Sequence, residues 1–225
     1  MKGATYIRAY AGAGAVIAAA ALTVPCFGQV AIYEAVILHS DRIPFVRSFG
    51  WGIGDGQQVG TSTVFRSGPG HALLWSGSAE SFVDLHPEGF DASHALGVSG
   101  GRQVGFREVW QPELRNYATM WSGSASGWVD LHVPSFRHTR AFGIGGNQQV
   151  GAGLNGFWPH ALLWRGNAAS AVNLNPSGFS GSEALGTDGV QQVGRATPEG
   201  GVDYHAALWS GTAESFVDLN PPGAS

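Results

Sequence analysis

Cysteine and lysine are almost missing from this 225-residue chain, each occurring once, as Cys26 and Lys2. Charged residues make up only 12% of it, about half the usual share. A disordered chain would show the reverse, with many charges and few aromatics. Here aromatics reach 11% and hydrophobic residues 44%, enough to build a core. The net charge of −4 gives no basic stripe of the kind that displaces counterions from nucleic acid. Glycine, by contrast, is abundant: 35 residues, about double the typical share. The composition is that of a folded, weakly acidic, glycine-punctuated β protein.

The longest apolar run, Ala9–Val24, follows Lys2 and Arg8 and ends at Pro25. A charged start, a short apolar middle and a small-residue exit describe a secretory signal peptide over 1–28, cut between Gly28 and Gln29. A membrane span needs about 20 apolar residues, and this run is shorter. Lipidation of Cys26 is disfavoured by Pro25, which stands where a small residue is wanted. Cleavage removes both Cys26 and Lys2, leaving ten arginines against sixteen acids and no membrane span. The mature chain, 29–225, then has no disulfide and no thiolate metal site. It is expected to be exported from the cytoplasm, to a periplasm or beyond the cell.

Four registers recur in one order. Gln57-Gln58-Val59-Gly60 returns as Arg102–Gly105, Gln148–Gly151 and Gln191–Gly194. His71–Trp75 returns at Tyr117–Trp121, His160–Trp164 and His205–Trp209. Val83-Asp84-Leu85 returns as Val129–Leu131, Val172–Leu174 and Val217–Leu219. Ala95-Leu96-Gly97 returns as Ala141–Gly143 and Ala184–Gly186, with Gly50-Trp51-Gly52 as a divergent first copy. Each register is short and bounded by turn residues, so each reads as a strand. Four strands per period of about 45 residues is the arithmetic of a propeller blade.

The expected fold is therefore all-β, a β-propeller-like array of four-stranded repeats at about 46–85, 93–131, 139–174 and 182–219. A β-sandwich or irregular solenoid is the alternative. A leading strand is expected at about 35–39, where Ala35–His39 resembles the Val-Asp-Leu-His element. Trp75, Trp121, Trp164 and Trp209 are the expected packing knobs between neighbouring blades. One leading strand and four complete sets do not close neatly, and Asn220–Ser225 matches the connector Asn175–Ser180. Two readings follow: a compact four-bladed ring with a spare strand, which is preferred, or an incomplete piece of a longer array.

The order Ala-x-Gly, Gln-Val-Gly, His-Ala-x-x-Trp, Asp-Leu resembles the bacterial extracellular HAF-type repeat family over about residues 46–219. That resemblance implies an exported, propeller-like protein, often with a carboxy-terminal sorting anchor of the PEP-CTERM type, and no established catalytic activity. The His-Ala-Phe triplet of the family is here His71-Ala72-Leu73, Tyr117-Ala118-Thr119, His160-Ala161-Leu162 and His205-Ala206-Ala207. No sorting anchor is evident in the sequence.

His71, His160 and His205 hold one register, with Tyr117 in the fourth copy, and read as structural hydrogen-bonders rather than ligands or bases. Acids outside the repeat pattern are Asp55, Glu108, Glu113, Asp188 and Asp203, and nothing in the sequence pairs them as glycoside hydrolysis requires. No phosphate loop, nucleophile elbow, calcium loop or zinc helix is present. Neither an enzyme activity nor a cofactor or metal is expected. The loops before the His-Ala strand vary most and carry Phe65, Arg66, Arg107, Trp110, Arg115, Phe157, Trp158 and Tyr204. Aromatics beside arginine on a variable face suit carbohydrate or a surface protein. The expected function is a secreted binding or surface-structural module. The alternatives are a propeller-type glycoside hydrolase or lectin-like carbohydrate binder, and a fragment of a longer surface repeat protein.

Overall fold

A computed structural model of the chain describes residues 18–22, 31–39, 46–63 and 68–221. The proposed cleavage site Gly28–Gln29 and the loop residues Phe65 and Arg66 lie outside the described residues. The protein is all-β and propeller-like: four antiparallel four-stranded sheets, each a simple meander, follow one another along the chain. Sheet 1 holds β3 (Arg47–Gly54), β4 (Gln57–Thr63), β5 (Gly70–Trp75) and β6 (Val83–Asp84). Sheet 2 holds β7 (Ala92–Ser99), β8 (Arg102–Val109), β9 (Arg115–Trp121) and β10 (Trp128–Asp130). Sheet 3 holds β11 (His138–Gly145), β12 (Gln148–Leu154), β13 (Pro159–Trp164) and β14 (Val172–Asn173). Sheet 4 holds β15 (Phe179–Thr187), β16 (Gln192–Pro198), β17 (His205–Trp209) and β18 (Val217–Asp218). Outside the array, β1 (Ala18–Leu22) pairs with β2 (Ala31–Ala35).

Each repeated register has a physical reason. The first strand of every sheet carries a β-bulge, at Gly50/Gly52, Ala95/Gly97, Ala141/Gly143 and Ala184/Gly186. The bulge presses a carbonyl onto the neighbouring strand. A Cβ at Gly60, Gly105, Gly151 or Gly194 would fall on the carbonyl oxygen of Phe49, His94, Arg140 or Glu183. The glycine of Gln-Val-Gly is thus demanded by its bulged partner. The glutamine before that valine reaches the turn after the tryptophan: the Gly77, Gly123, Gly166 and Gly211 N–H groups donate to Gln58, Gln103, Gln149 and Gln192 Oε1 at 2.7–2.9 Å.

The core lies between sheets. Val59, Ala72, Leu74 and Leu85 on the trailing face of sheet 1 enclose Ala95, Val98 and Trp121 from the leading face of sheet 2. Val104, Ala118, Met120 and Leu131 do the same for Ala141 and Trp164. Val150, Ala161, Leu163 and Leu174 then enclose Ala184 and Trp209. A second glycine row lets the sheets come this close, since a Cβ at Gly52, Gly97 or Gly143 would meet the carbonyl of Leu96, Phe142 or Leu185 on the next sheet.

A polar seam runs beside the core. Ala72, Ala118 and Ala161 N–H donate to the hydroxyls of Ser93, Thr139 and Ser182 on the following sheet, at 2.9–3.1 Å. Those hydroxyls meet His86 Nδ1, His132 Nδ1 and Asn175 Oδ1 at 2.7–2.9 Å. His86 Nε2 also reaches the Phe90 carbonyl at 3.1 Å, as Asn175 Nδ2 reaches that of Phe179. A neutral imidazole protonated on Nε2 satisfies both contacts. Burial, the largest cause in each case, holds His86 and His132 below the ordinary imidazole value; His71 and Arg107 respectively add to the effect. His138 and His160 are lowered too, again chiefly by burial.

In the window below about 6.5 the unfolded rings are charged while the folded ones stay neutral, so the unfolded state binds more protons. Stability is complete above that value and is lost as pH falls through the lowered folded values. The melting temperature is expected to drop between about pH 7.5 and pH 5.5. The double variant His86→Asn/His132→Asn, which copies the natural Asn175, should flatten the profile. A parent profile that is already flat over that range would refute this.

Among the described residues the sheets do not close into the preferred ring. Sheets 1 and 2, 2 and 3, and 3 and 4 pack together, while Ile53 on sheet 1 and Val193 and Leu219 on sheet 4 stand exposed. The expected leading strand also shifts, because the strand covers Ala31–Ala35 and residues 36–39 have none. Among the described residues no tryptophan strand precedes 36–39 to pair with it. Even so, Leu38 packs on Leu73 and Trp75, and His39 Nδ1 meets Ser48 Oγ at 2.9 Å. These are the places of Leu85 and His86 one repeat later.

Candidate functional site

The bulged strands put a variable residue at a constant position just ahead of the bulge: Phe49, His94, Arg140 and Glu183. The repeat sets the backbone there and leaves the chemistry free. Around Arg140 the chain forms a cleft of about 280 Å³, near the lower end of the roughly 300–1,000 Å³ usual for ligand sites. Sheet 2 contributes Leu114 and Asn116, sheet 3 His138, Arg140, Phe142, Leu154, Phe157 and Pro159, and sheet 4 Glu183.

Arg140 is the cleft's exposed cation. With the Asn116 amide oxygen turned inward, Arg140 Nε and Nη2 donate to it at 2.8 and 2.5 Å. The guanidinium lies 4.8 Å from the centre of the Phe106 ring, a cation–π contact. Among the described residues no carboxylate makes an ion pair with it: Glu183 is taken by Arg195, whose Nε donates to Glu183 Oε2 at 2.6 Å, and Glu108, across from Asn116, feels its charge without direct contact. Beyond the cleft, Arg137 and Arg115 share a single acid, Glu113. The local field is thus positive in a chain of net negative charge. His138 senses it: burial and then Arg137, Arg140 and Arg115 all push its imidazole below the ordinary value.

The residues singled out from the variable loops separate in space. Phe157 stands exposed on the cleft rim, edge-on to Trp158 at 5.1 Å. Arg115, at the start of β9, points its charge to Glu113 behind the cleft. Trp110 is exposed but tied down, its Nε1 donating to Glu108 Oε2 at 2.9 Å. Tyr204 is exposed under Arg195 at 4.1 Å.

Arg107 is not on the ligand face at all. It lies in β8, buried between the rings of Phe90 and Trp128 at 4.2 and 4.0 Å. Its Nε donates to Thr119 Oγ1 and its Nη2 pairs with Asp130, at 2.8 and 2.9 Å. β8 runs on to Val109, so the variable stretch there is partly strand and its arginine faces inward.

The recurrent histidines bridge two strands of their own sheet. His71 and His205 Nδ1 meet Asp84 and Asp218 Oδ2 at 2.8 and 2.7 Å, and His160 Nδ1 meets Asn173 Nδ2 at 3.1 Å. The same Asp and Asn residues accept the N–H of His86, Asn220 and Asn175 through their other oxygen or amide oxygen. Trp75, Trp121, Trp164 and Trp209 are fully buried. Among the described residues no group of three or more His, Cys, Asp or Glu side chains could hold a metal. No described helix is long and apolar enough to cross a membrane.

Compared with known protein families and with curated proteins, the chain matches no family model and no curated protein significantly.

Proposed function

We propose that the chain is an exported, non-catalytic binding module that holds a small carboxylate-bearing ligand in the Arg140 cleft. The observation that carries this reading is Arg140 itself, a cation that makes no ion pair, oriented by Asn116 and Phe106. A guanidinium fixed in this way offers a planar fork to an incoming carboxylate. Phe142, Leu114, Leu154 and the exposed Phe157 supply apolar wall for the ligand's body. The size suits a single sugar acid or a similar small ring compound. Export rests on the charged, apolar and small-residue order of residues 1–28, and the repeats resemble the HAF-type family of extracellular proteins.

A propeller-type hydrolase would need two acids facing one bond. The cleft presents one, Glu183, held by Arg195.

Titration calorimetry with glucuronate and galacturonate against neutral glucose tests the proposal. The uronates are expected to bind and glucose to bind at least about tenfold more weakly, one lost charge-assisted contact being worth that much. Arg140→Met should abolish the preference, at some cost in melting temperature because the buried Asn116 loses its two donors, and circular dichroism checks that the fold is kept. Equal binding of glucose, or no uronate binding at millimolar concentration, would overturn it.

A further inference from the structure

The chain makes one sheet-on-sheet interface three times and then displays both halves of a fourth, unmade. On trailing faces, Val59, Val104 and Val150 are 0% exposed, yet Val193 is 49% exposed. Leu85, Leu131 and Leu174 are likewise sealed, yet Leu219 is 51% exposed. On leading faces the order is reversed: Val98 is 6% exposed and Ile53, its counterpart on sheet 1, is 79% exposed.

Ala95, Ala141 and Ala184 are buried, whereas nothing lies within 4 Å of a Cβ placed on Gly50. A Cβ on Gly186 would meet only the Val193 side chain of its own sheet, with no neighbouring backbone as at Gly52, Gly97 and Gly143. The polar seam has the same gap. The Ala206 N–H, with no hydroxyl from a following sheet, donates to Asn220 Oδ1 at 3.1 Å.

From this we infer that the trailing face of sheet 4 docks on the leading face of sheet 1 of a second copy, head to tail. The occupant is a second copy because the complement of each open face is already specified by the three interfaces inside the chain. The chain's own two faces do not meet, so it does not cover them itself. Val193 and Leu208 would receive Ile53 and Gly50 as Val59 and Leu74 receive Val98 and Ala95. The outer margin of the leading face is already taken, with Leu38 on Trp75 and His39 on Ser48. Val36 and Ile37 beside it are half exposed, and Leu38 already fills the place that Leu219 would take, so the docked contact is carried by Val193 and Leu208 while β18 stays paired with β17. A heterologous contact of this kind closes into a ring or runs on as a filament. Two copies assemble eight sheets, within the range of about 4–8 at which such arrays close.

Light scattering on the full chain after gel filtration tests this, with Ile53→Arg and Val193→Arg made separately. Both side chains are exposed in the single chain, so neither change should disturb folding, which circular dichroism checks. The parent is expected to run at twice the chain mass and each variant alone at the chain mass. Mixed in equal amounts, the two variants should recover a two-chain species, because one good face remains on each. Larger parent species abolished by either variant also support head-to-tail docking. A parent that stays a single chain up to about 100 µM, or association that survives both variants, would overturn it.

Discussion

Gly143→Ala is expected to destabilise the protein by about 1–3 kcal/mol. Gly186→Ala, one sheet further on in the same register, should stay within about 0.5 kcal/mol of the parent. The added methyl at 143 would stand 2.8 Å from the Leu185 carbonyl oxygen and 3.2 Å from Gly186 Cα, both backbone atoms of the next sheet. Two backbones cannot move apart there without opening the cluster that buries Trp209. At 186 the nearest atom is the Val193 Cγ2 at 3.5 Å, an ordinary contact. Alanine also restricts the unfolded chain more than glycine, which offsets part of any cost. Gly52→Ala, facing the Leu96 carbonyl at 2.6 Å, belongs with Gly143. Urea unfolding midpoints at high dilution, where the chain is a single copy, decide the matter, and equal costs at 143 and 186 there would show that the sheets are not stacked as described.

Arg107→Ala is expected to cost about 2–4 kcal/mol, the largest effect of any single arginine. Its partner Asp130 is half exposed and would be hydrated again, so little of the loss comes from an orphaned charge. Most comes from the slot left between Phe90 and Trp128 and from the cation–π contacts with both rings. Arg107→Met fills the slot without the charge and should cost less than half as much. Uronate binding in the Arg140 cleft should be unchanged in the methionine variant. A loss of binding without a loss of stability would return Arg107 to the ligand face.

Most of the sheet architecture was legible, because the repeats that build the interfaces are spelled out in valine, alanine, leucine and tryptophan. The bulge was not. Its sign is the glycine after each Gln-Val, which explains itself only once the facing carbonyl is in place. Closure misled for a similar reason: strand counting says how many strands exist, while the exposed Ile53 and Val193 say whether the ends meet.

The cleft was harder still. Phe157 was visible as an aromatic in a variable loop, but Arg140 and Asn116 sit in strands, where sequence variation looks like noise. The available signal was chemical change at a constant register, Phe49, His94, Arg140 and Glu183, against an unchanging neighbour. Arg107 failed the other way, since variability beside a strand end looked like a loop although the strand continued.

The described residues form a stack of four sheets in which one interface is made three times and its two outer faces stay open. Thiol labelling reads all four positions of that interface side by side. In a Cys26→Ser background, Val59→Cys, Val104→Cys, Val150→Cys and Val193→Cys are each exposed to a maleimide at high dilution, where the chain is a single copy. Only the cysteine at 193 should react quickly, with the other three slower by at least about 100-fold, as befits sites that open only by unfolding. Four equally protected cysteines would mean a closed ring, and fast labelling at 59, 104 or 150 would mean that the sheets do not stack.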